Sequence, residues 1–583
     1  MSRGRSSVAL LATLVALAAA SFAPAASAAP GQLDPTFGTG GSVRLLPSNE
    51  DIALRGVATQ PDGKIVLAGG DFTADTTLVV RLLENGALDP TFGTGGIVSL
   101  KLGSEASEAR AVLLQPDGKI VVAGSAKGAT TYDFMVARLN ADGSPDLSFG
   151  GGDGNEVFPV GTEQDRAEAL ALGPGGRIVA TGEARTPSDG AVALAVLGSN
   201  GLPDTGYFGG DGVTTESTVP KSDQGVAAAM LADGRVLVGD ANAAGAGKGF
   251  TLVQLLPAGS RDPAFGGGDG LVEVPVPSGG TESNLGGRIS DFELLADGRI
   301  VASGYGYDQA SPSNDAKMVV ARFLADGQLD ESFGKAGWFS HQFGPGSEYA
   351  GAIEVAPTGK LLIAGPYDFA LNVNGTPGRA VARLEPNGTL DPGFGAGGTV
   401  VSGETAAFGE SFEGAVLDAE ERLVFNARAY IGGGNTEIVV SRYLGDKDPK
   451  PPLNQAPHAR MKKVPKKLRA NRLRGFVGTA DDPDGSIARV QIAVTKKAGK
   501  KCLRMANARA KFKPAKKQRG KPCEPRWLTV KGKAKWSFKL KKNLAPGRYV
   551  VIARAVDSAG LAESTFSRKA GNRYAFRILP AKN

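Results

Sequence analysis

Short apolar runs alternate with polar, glycine-rich turns along most of the chain, and no stretch has the apolar spacing of an amphipathic helix. In a representative stretch, the turn residues Pro61, Asp62 and Gly63 lead into the apolar residues 65–68. Asp-Gly pairs between apolar runs favour tight turns that connect antiparallel strands. This pattern predicts an all-β protein.

Two phrases recur and divide the chain into repeats. The first is a linker of the type Leu-Asp-Pro-x-Phe-Gly, whose Phe lies at positions 37, 92, 149, 208, 265, 333 and 394. The second is the Pro-Asp-Gly turn with its apolar strand, which has lost its Asp-Gly pair in the seventh copy, at residues 418–426. Two further apolar runs complete each repeat, and a period of 55 to 68 residues fits a four-stranded blade. We therefore predict a seven-bladed β-propeller over residues 29–446.

The phase of the repeats also predicts how the ring closes. The last repeat ends without a Phe-Gly linker, whereas the first repeat begins with one and continues into the apolar residues 42–46. We therefore expect residues 42–46 to pair with residues 438–443, which covers an exposed strand edge and locks the ring.

The paired phrases, and above all the Asp-Pro-x-Phe-Gly linkers, resemble the delta-60 repeat family, a group of secreted bacterial β-propeller repeats. The resemblance covers residues 31 to about 445. Copies four and seven depart from the pattern, so we expect irregular blades there. The resemblance implies a fold and no particular reaction.

The last part of the chain has a different composition. Residues 447–457 are rich in Pro and charge and are predicted to be a linker. Residues 458–583 resemble the immunoglobulin-like domains appended to bacterial surface proteins, in the turn and strand at 478–494 and again at 545–560. The resemblance implies a β-sandwich, from which the Lys-rich insertion at 496–526 departs.

Residues 1–28 have the pattern of a cleavable signal peptide. Arg3 and Arg5 precede the apolar residues 8–20, and the small residues 26–28 form a cleavage site. The apolar stretch is short for a membrane span, and we expect no transmembrane segment elsewhere. The predicted location is extracellular, either free or associated with the cell wall.

Charge and cysteines set the predicted second domain apart. Residues 1–446 carry a net charge of −23, whereas residues 447–583 carry +30. The basic domain is either a solvated surface or a cationic patch for an anionic cell-wall or extracellular polymer. Nucleic acid is disfavoured, because the chain is exported and has no recognised binding motif. Cys502 and Cys523, the only cysteines, predict one disulfide.

The motifs of common catalytic sites are missing from the sequence. It has two histidines, His341 and His458, and no His-Glu-x-x-His, Gly-x-Ser-x-Gly or Cys/His metal pattern. We expect no cofactor, with calcium at Gly-Gly-Asp-Gly stretches such as 151–154 as a minor alternative. The main hypothesis is a secreted, non-enzymatic binding or scaffold protein. The alternative is an extracellular polysaccharide lyase or hydrolase that uses propeller carboxylates.

Loop lengths predict which face of the propeller binds a ligand. The turns between first and second strands are short, whereas the loops between second and third strands lengthen in repeats five to seven. Long loops on a rigid ring commonly carry function, and aromatic rings beside carboxylates suit sugars. The candidate ligand contacts are Tyr305, Tyr307, Asp308, Tyr367, Asp368, Phe369 and Tyr430. The alternative is that these rings pack their own loops.

The linker aspartates have a predicted structural role. Arg residues in the third strand could pair with them, but copies three and four have Val196 and Gln254 at that position and still keep the Asp. Turn capping is therefore the favoured role. The residues are Asp34, Asp89, Asp146, Asp204, Asp262, Asp330 and Asp391.

Overall fold

The structure is a computed structural model. It describes residues 29–48, 51–128, 130–185, 190–217, 224–241, 249–277, 287–307, 315–344, 346–367, 378–402, 410–432, 435–447, 457–470, 472–481, 487–498, 501–515, 523–557, 562, 566–568 and 570–580. The chain divides into two compact units, Met1–Pro449 and Lys450–Asn583. The predicted signal peptide, residues 1–28, lies outside the described residues, as does most of the predicted linker.

Strands dominate both units. The first unit begins with β1 (Ser42–Ser48), β2 (Ile52–Thr59), β3 (Ile65–Asp71), β4 (Thr76–Leu82), β5 (Ile97–Leu100), β6 (Ser107–Leu114), β7 (Ile120–Lys127), β8 (Tyr132–Leu139), β9 (Asn155–Phe158), β10 (Asp165–Leu172), β11 (Ile178–Arg185), β12 (Gly190–Leu197), β13 (Val213–Glu216) and β14 (Gly225–Met230). It continues with β15 (Val236–Asp240), β16 (Phe250–Leu255), β17 (Leu271–Val274), β18 (Gly287–Leu294), β19 (Ile300–Tyr307), β20 (Ala316–Phe323), β21 (Trp338–His341), β22 (Ala352–Val355), β23 (Leu361–Tyr367), β24 (Gly378–Leu384), β25 (Thr399–Ser402), β26 (Glu410–Leu417), β27 (Leu423–Gly432) and β28 (Asn435–Tyr443). Two short 3-10 turns, Pro174–Gly176 and Phe208–Gly210, interrupt the loops. The second unit contains β29 (His458–Met461), β30 (Lys467–Arg469), β31 (Gly475–Asp481), β32 (Ile487–Ala498), β33 (Lys501–Met505), β34 (Phe512–Pro514), β35 (Leu528–Thr529), β36 (Lys535–Lys539), β37 (Gly547–Asp557) and β38 (Arg573–Leu579).

In the described part of the first unit, the strands form seven four-stranded antiparallel sheets. Sheets 1 to 6 are β2–β5, β6–β9, β10–β13, β14–β17, β18–β21 and β22–β25, and sheet 7 consists of β26, β27, β28 and β1. The prediction of an all-β architecture with propeller-type four-stranded sheets is confirmed.

The second and third strands of each sheet are apolar on both faces because neighbouring sheets cover both faces. Val66 and Ala68 of sheet 1, for example, pack with Ile120 and Val122 of sheet 2, and all four are fully buried. Strands covered on two sides read as continuous apolar runs instead of alternating ones. The linker Phe side chains fill the same interfaces, as Phe92 does between these two sheets.

The first strands of successive sheets contact one another in a closed circle, from β2 through β26 and back to β2. We call them the inner strands, and the space that they surround the central channel. The predicted closure is confirmed, since β1 pairs with β28 and places Ser42 opposite Ser441 and Leu45 opposite Ile438. The beginning of the first unit therefore supplies the outermost strand of its last sheet.

The linker aspartates repeat one hydrogen-bonding pattern. In each linker, one carboxylate oxygen accepts the backbone N–H two residues further on, at 2.9 to 3.1 Å. The other oxygen binds a guanidinium group, as Asp89 binds Arg81 of the third strand at 2.9 Å. The arginine also lies over the linker ring, with Arg81 4.4 Å from the centroid of Phe92.

Sheets 3 and 4, which lack the third-strand arginine, obtain the same ion pair from another position. Arg177 and Arg235, which directly precede the second strand, contact Asp204 and Asp262, each at 2.7 Å. The missing arginines made an ion pair improbable from the sequence, yet all seven aspartates have one. Each linker Asp therefore fixes its turn and also joins it to the neighbouring strands.

The second unit is built on two sheets. One has the order β29-β31-β36, and the other the order β30-β38-β37-β32-β33-β34, with β35 paired to β32. Trp536 and Phe476 pack between them with Val490, and the Trp536 indole donates to the Thr479 carbonyl at 3.0 Å. The predicted disulfide is confirmed: Cys502 and Cys523 are bonded, with 5.6 Å between their Cα atoms. Across the residues described in both units, no helix has the length and apolar character of a membrane span.

Candidate functional site

The inner strand of six sheets has a β-bulge at a common position. The pairing with the second strand skips one residue there, as between Leu54 and Gly56 in β2. Bulges turn the skipped side chain out of the regular alternation and are frequent beside functional sites. The skipped residues are Arg55, Arg110, Glu168, Val226, Ser290 and Glu413.

Charged residues at and beside these bulges form ion pairs between neighbouring inner strands. The Arg55 guanidinium lies 3.8 Å from the Glu413 carboxylate and 3.9 Å from that of Glu108. Arg110 lies 2.8 Å from Glu108 and 3.3 Å from Glu168. We call these five residues the ionic belt. It crosses the inner strands of sheets 7, 1, 2 and 3 on one side of the channel.

A cavity of about 310 Å³ opens beside the ionic belt, on the face that carries the loops between second and third strands. Its wall combines carboxylates, two arginines and two aromatic rings, so that it offers a ligand both polar groups and apolar ring faces. The lining residues used here are Asp71, Phe72, Glu108, Tyr132, Asp165, Arg166, Glu183 and Arg185. The cavity lies on the predicted face, but it is formed by sheets 1 to 3, where the loops are short.

Asp165 is the most deeply buried acid of this cavity, with 1% of its surface exposed. One carboxyl oxygen accepts the N–H groups of Val160 and Gly161, at 2.7 and 2.8 Å. The other oxygen, Oδ1, is buried and has no hydrogen-bond partner among the described residues. Burial raises the pKa of Asp165. The two N–H groups lower this pKa, and the nearby Asp133 carboxylate raises it further, so that the net shift is upward. The direction of this pKa shift is the one that a proton donor requires.

Two other carboxylates of the cavity are held by arginines. Glu183 accepts from Arg185 at 2.9 Å and from Arg166 at 3.1 Å. Glu108 accepts from the Arg110 Nε at 2.9 Å. These contacts fix both carboxylates in the cavity wall that they share with Asp165. Two carboxyl groups in contrasting environments are the arrangement that acid–base catalysis needs.

A second carboxyl cluster lies on the inner strands of sheets 5 and 6. Glu293 pairs with Val301 and Glu354 with Leu362, which is the same register position in neighbouring sheets. Other sheets have only apolar residues at this position: Ala58, Leu113, Ala171, Ala229 and Val416. Burial and the Asp291 carboxylate raise the pKa of Glu293 to about 8. Burial and the carboxylates of Glu293 and Asp291 raise the pKa of Glu354 well above its ordinary value.

The structure places four of the seven predicted ligand contacts; Asp308, Asp368 and Phe369 lie outside the described residues. Tyr305 and Tyr307 end β19 and pack edge to face at 5.5 Å between ring centroids. Tyr367 ends β23 and packs against the core of sheets 5 and 6. Tyr430 is exposed, with Arg428 5.6 Å from its ring centroid. As ligand contacts, these residues remain a prediction.

The ionic belt connects the tyrosines to the cavity. Glu413 raises the pKa of Tyr349 in addition to the effect of burial, and the Tyr349 ring lies 6.3 Å from that of Tyr305. Glu413 also contacts Arg55, which reaches Glu108 in the cavity wall. Polar and aromatic side chains thus continue around the channel mouth from sheet 3 to sheet 5.

Solved structures with similarity to the chain include three that are named as enzymes. The polysaccharide lyase Uly1 is 11% identical with a TM-score of 0.39, and the alignment covers 67% of this chain and 90% of that one. The endo-arabinase of Bacteroides thetaiotaomicron is 14% identical, with 47% and 91% covered and a TM-score of 0.25. The arabinanase Arb43A of Bacillus subtilis is 11% identical, with 57% and 92% covered and a TM-score of 0.26. No curated protein matches the sequence.

The expectation of a protein without enzymatic activity is not retained beside solved structures that carry the names of a lyase and two arabinanases; at these identities the likeness shows the fold alone. The sequence has no triad or metal motif, but the absence of these motifs does not imply the absence of enzymatic activity. Carboxyl groups suffice for some hydrolases, and they have no short sequence signature.

The family described as "Domain of unknown function (DUF5122) beta-propeller" matches residues 60–92, 115–149, 295–333 and 356–394. Each match runs from the turn before the second strand to the Phe of the following linker. The matches fall on sheets 1, 2, 5 and 6, whose third strands carry Arg81, Arg138, Arg322 and Arg383. At these four repeats, the chain is therefore similar to the DUF5122 β-propeller model.

Proposed function

We propose that this protein is an exported enzyme that hydrolyses a saccharide. In this proposal the first unit is a seven-bladed β-propeller with the site at its channel mouth, and the second unit is an immunoglobulin-like domain. The observation that carries the proposal is the pairing, in one cavity, of the partnerless carboxyl oxygen of Asp165 with the arginine-held carboxylates of Glu108 and Glu183. Export is supported by the leader pattern and the disulfide.

Each group has a proposed role in the reaction. Asp165 donates its proton to the leaving glycosidic oxygen, so that the bond breaks without releasing an alkoxide. Glu108 or Glu183 then acts on the opposite side of the sugar, as a base toward water or as a nucleophile. Phe72 and Tyr132 offer apolar ring faces to the sugar. Arg166 and Arg185 hold Glu183 in its orientation.

The tyrosines across the channel mouth extend this site. Tyr305 and Tyr307 lie at the end of the second strand of sheet 5, and the cavity is lined by the ends of the second strands of sheets 1 and 3. The two tyrosines and the cavity therefore lie on the same side of the ring. A polymer that lies across the mouth would contact them. Replacing both with Ala should weaken substrate binding at least about tenfold, since each aromatic contact contributes roughly 1 kcal/mol. Unchanged affinity, measured by calorimetry with the substrate, would remove these two residues from the site.

The decisive variant is Asp165→Asn. Its amide oxygen can still accept the N–H groups of Val160 and Gly161, but the side chain no longer carries an acidic proton. We expect turnover of the saccharide that the unchanged protein cleaves to fall by roughly 10²–10⁴-fold, the usual effect of removing a general acid. In the unchanged protein, turnover should also fall as the pH rises through the raised pKa of Asp165, and the variant should lack this limb.

The matched control is Asp153→Asn, an exposed aspartate that accepts the Asn155 N–H in a turn. It should leave turnover unchanged. Reducing-end assays and ultraviolet absorbance of the product separate the two chemistries, because a lyase leaves an unsaturated sugar and a hydrolase does not. Full activity of Asp165→Asn at normal thermal stability would reduce Asp165 to a loop cap, and an unsaturated product would refute hydrolysis.

A further inference from the structure

One face of the second unit concentrates positive charge around a groove of about 770 Å³. Its cations are Lys466, Arg548, Arg568, Arg573 and Arg577. No Asp or Glu is found among its described lining residues. The groove follows β37 and β38, the two paired strands near the middle of the larger sheet.

The sheet register places like charges side by side. Arg548 and Arg577 are directly opposite each other in the pairing of β37 with β38. Lys466 lies beside them, because its carbonyl accepts the Arg577 N–H at 2.9 Å. Arg573 lies on the same face, four residues and about 13 Å further along β38. Directly opposed like charges destabilise a sheet, so this arrangement costs stability unless an anion binds there.

Among the described residues of the second unit, the groove cations have no counter-charge. In the second unit as far as it is described, the ion pair is Arg504–Glu524, and none of the five groove cations has a carboxylate within 4.0 Å. Four of them, Lys466, Arg548, Arg568 and Arg577, are exposed to solvent. The groove is therefore open to an anionic ligand from outside the chain.

Small side chains form the floor between the cations. Val550 pairs with Ala575 on one side and with Thr495 on the other. The intervening residues, Tyr549 and Phe576, belong to the core on the opposite face and are 2% and 4% exposed. A chain lying along the groove can thus approach the sheet closely, with guanidinium groups on both sides of it.

We propose that this groove binds an anionic polysaccharide, a sugar chain that carries carboxylate or sulfate groups, and that it attaches the protein to such a polymer. Arginine suits carboxylate and sulfate because its planar fork can donate two parallel hydrogen bonds. Of the rings that line the groove, Tyr549 and Phe576 are buried in the core and Tyr574 packs against it, so the groove offers no stacking platform of the kind that binds unpaired bases. The groove lies outside the first unit, and the proposal does not depend on the proposed hydrolase.

The test uses the mature full-length protein with polygalacturonate, dextran sulfate, neutral dextran and double-stranded DNA. The triple variant Arg548→Gln, Arg573→Gln, Arg577→Gln should lose at least about tenfold in affinity for one or both anionic polymers, because three charge-assisted contacts are removed. The two anionic polymers show whether carboxylate or sulfate is preferred. Neutral dextran should not bind, and raised salt should release the anionic polymers.

A control with the same change in charge is Lys533→Gln, Lys535→Gln, Lys539→Gln, whose exposed lysines belong to β36 and the turn before it. It should lose less than about threefold, through the long-range field alone. Equal losses in both variants, or binding of DNA that the groove variant weakens more than polysaccharide binding, would overturn the proposal. Should the triple variant have a lowered melting temperature, Arg577→Gln alone must still lose affinity.

Discussion

Deletion of residues 29–48 should lower the melting temperature of the first unit by more than about 10 °C, or prevent its folding. The deletion removes β1 and leaves β28 as an exposed edge. It also removes Phe37, which is fully buried, and Asp34, the ion-pair partner of the buried Arg442 at 2.8 Å. A buried guanidinium that loses its carboxylate costs several kcal/mol. Thermal unfolding followed by circular dichroism measures the effect.

The matched control keeps residues 30–48 of the deleted segment but moves them to another place in the chain. Gly31 donates to the Leu444 carbonyl at 2.8 Å, as Gly86 donates to that of Leu83 in the first repeat. Leu444 likewise donates to the Gln32 carbonyl at 2.8 Å, as Leu83 does to that of Ala87 at 2.7 Å.

Residues 30–32 therefore complete, after Leu444 and Gly445, the same hairpin that is continuous in the other repeats. A permuted chain that starts at residue 51, joins Gly445 to Pro30, and carries the second unit after residue 48 should melt close to the unchanged protein. A stable deletion variant, or an unstable permuted chain, would contradict closure as the source of stability.

Above pH 8, Glu293→Gln should raise the free energy of unfolding by roughly 2–4 kcal/mol, at about 1.4 kcal/mol for each tenfold change in proton affinity. Burial and the Asp291 carboxylate raise the pKa of Glu293 from 4.5 to about 8 in the folded state. The folded protein therefore holds this proton more tightly than the unfolded chain does. The contribution of this proton to the free energy of unfolding is fully present below pH 4.5 and is lost as the pH rises toward 8.

Urea unfolding at several pH values tests this expectation. The unchanged protein should become less stable between pH 5 and pH 8, and the variant should lose part of that dependence while matching it in acid. Glu331→Gln, an exposed change in the linker of the same sheet, is the control and should follow the unchanged protein. Parallel curves for the two variants would show that Glu293 titrates normally.

The repeats could be predicted from the sequence because their signals are local. Each linker, turn and apolar strand lies within one repeat, and the phase of the first linker already indicated that β1 pairs with β28. The predicted turn capping by the aspartates rests on a contact two residues away. Their pairing with Arg177 and Arg235 could not be read in the same way, because these arginines precede the second strand, 27 residues before the aspartate that they bind.

The cavity was harder to predict because its residues come from three sheets. Loop length pointed to repeats five to seven, yet Asp165 and Glu108 lie at the beginnings of inner strands, in sheets with short loops. One signal was available: the inner strands of repeats two and three read SEARA and DRAEA, with charges where a buried strand should be apolar. Charged residues in an otherwise apolar β-strand therefore indicate a candidate site, as long loops do.

The double supply of cations to the linker aspartates also bears on how such repeats drift apart. Lys119 and Lys360 already reach Asp146 and Asp391 from the position that Arg177 occupies, at 2.8 and 2.9 Å. A repeat can therefore lose its third-strand arginine by a single mutation while the second cation preserves the turn. This route would allow repeats to diverge in sequence while the ion pair at the linker is kept. A search profile that accepts arginine at either position should recover repeats, such as the third and fourth here, that a profile trained on the common pattern passes over.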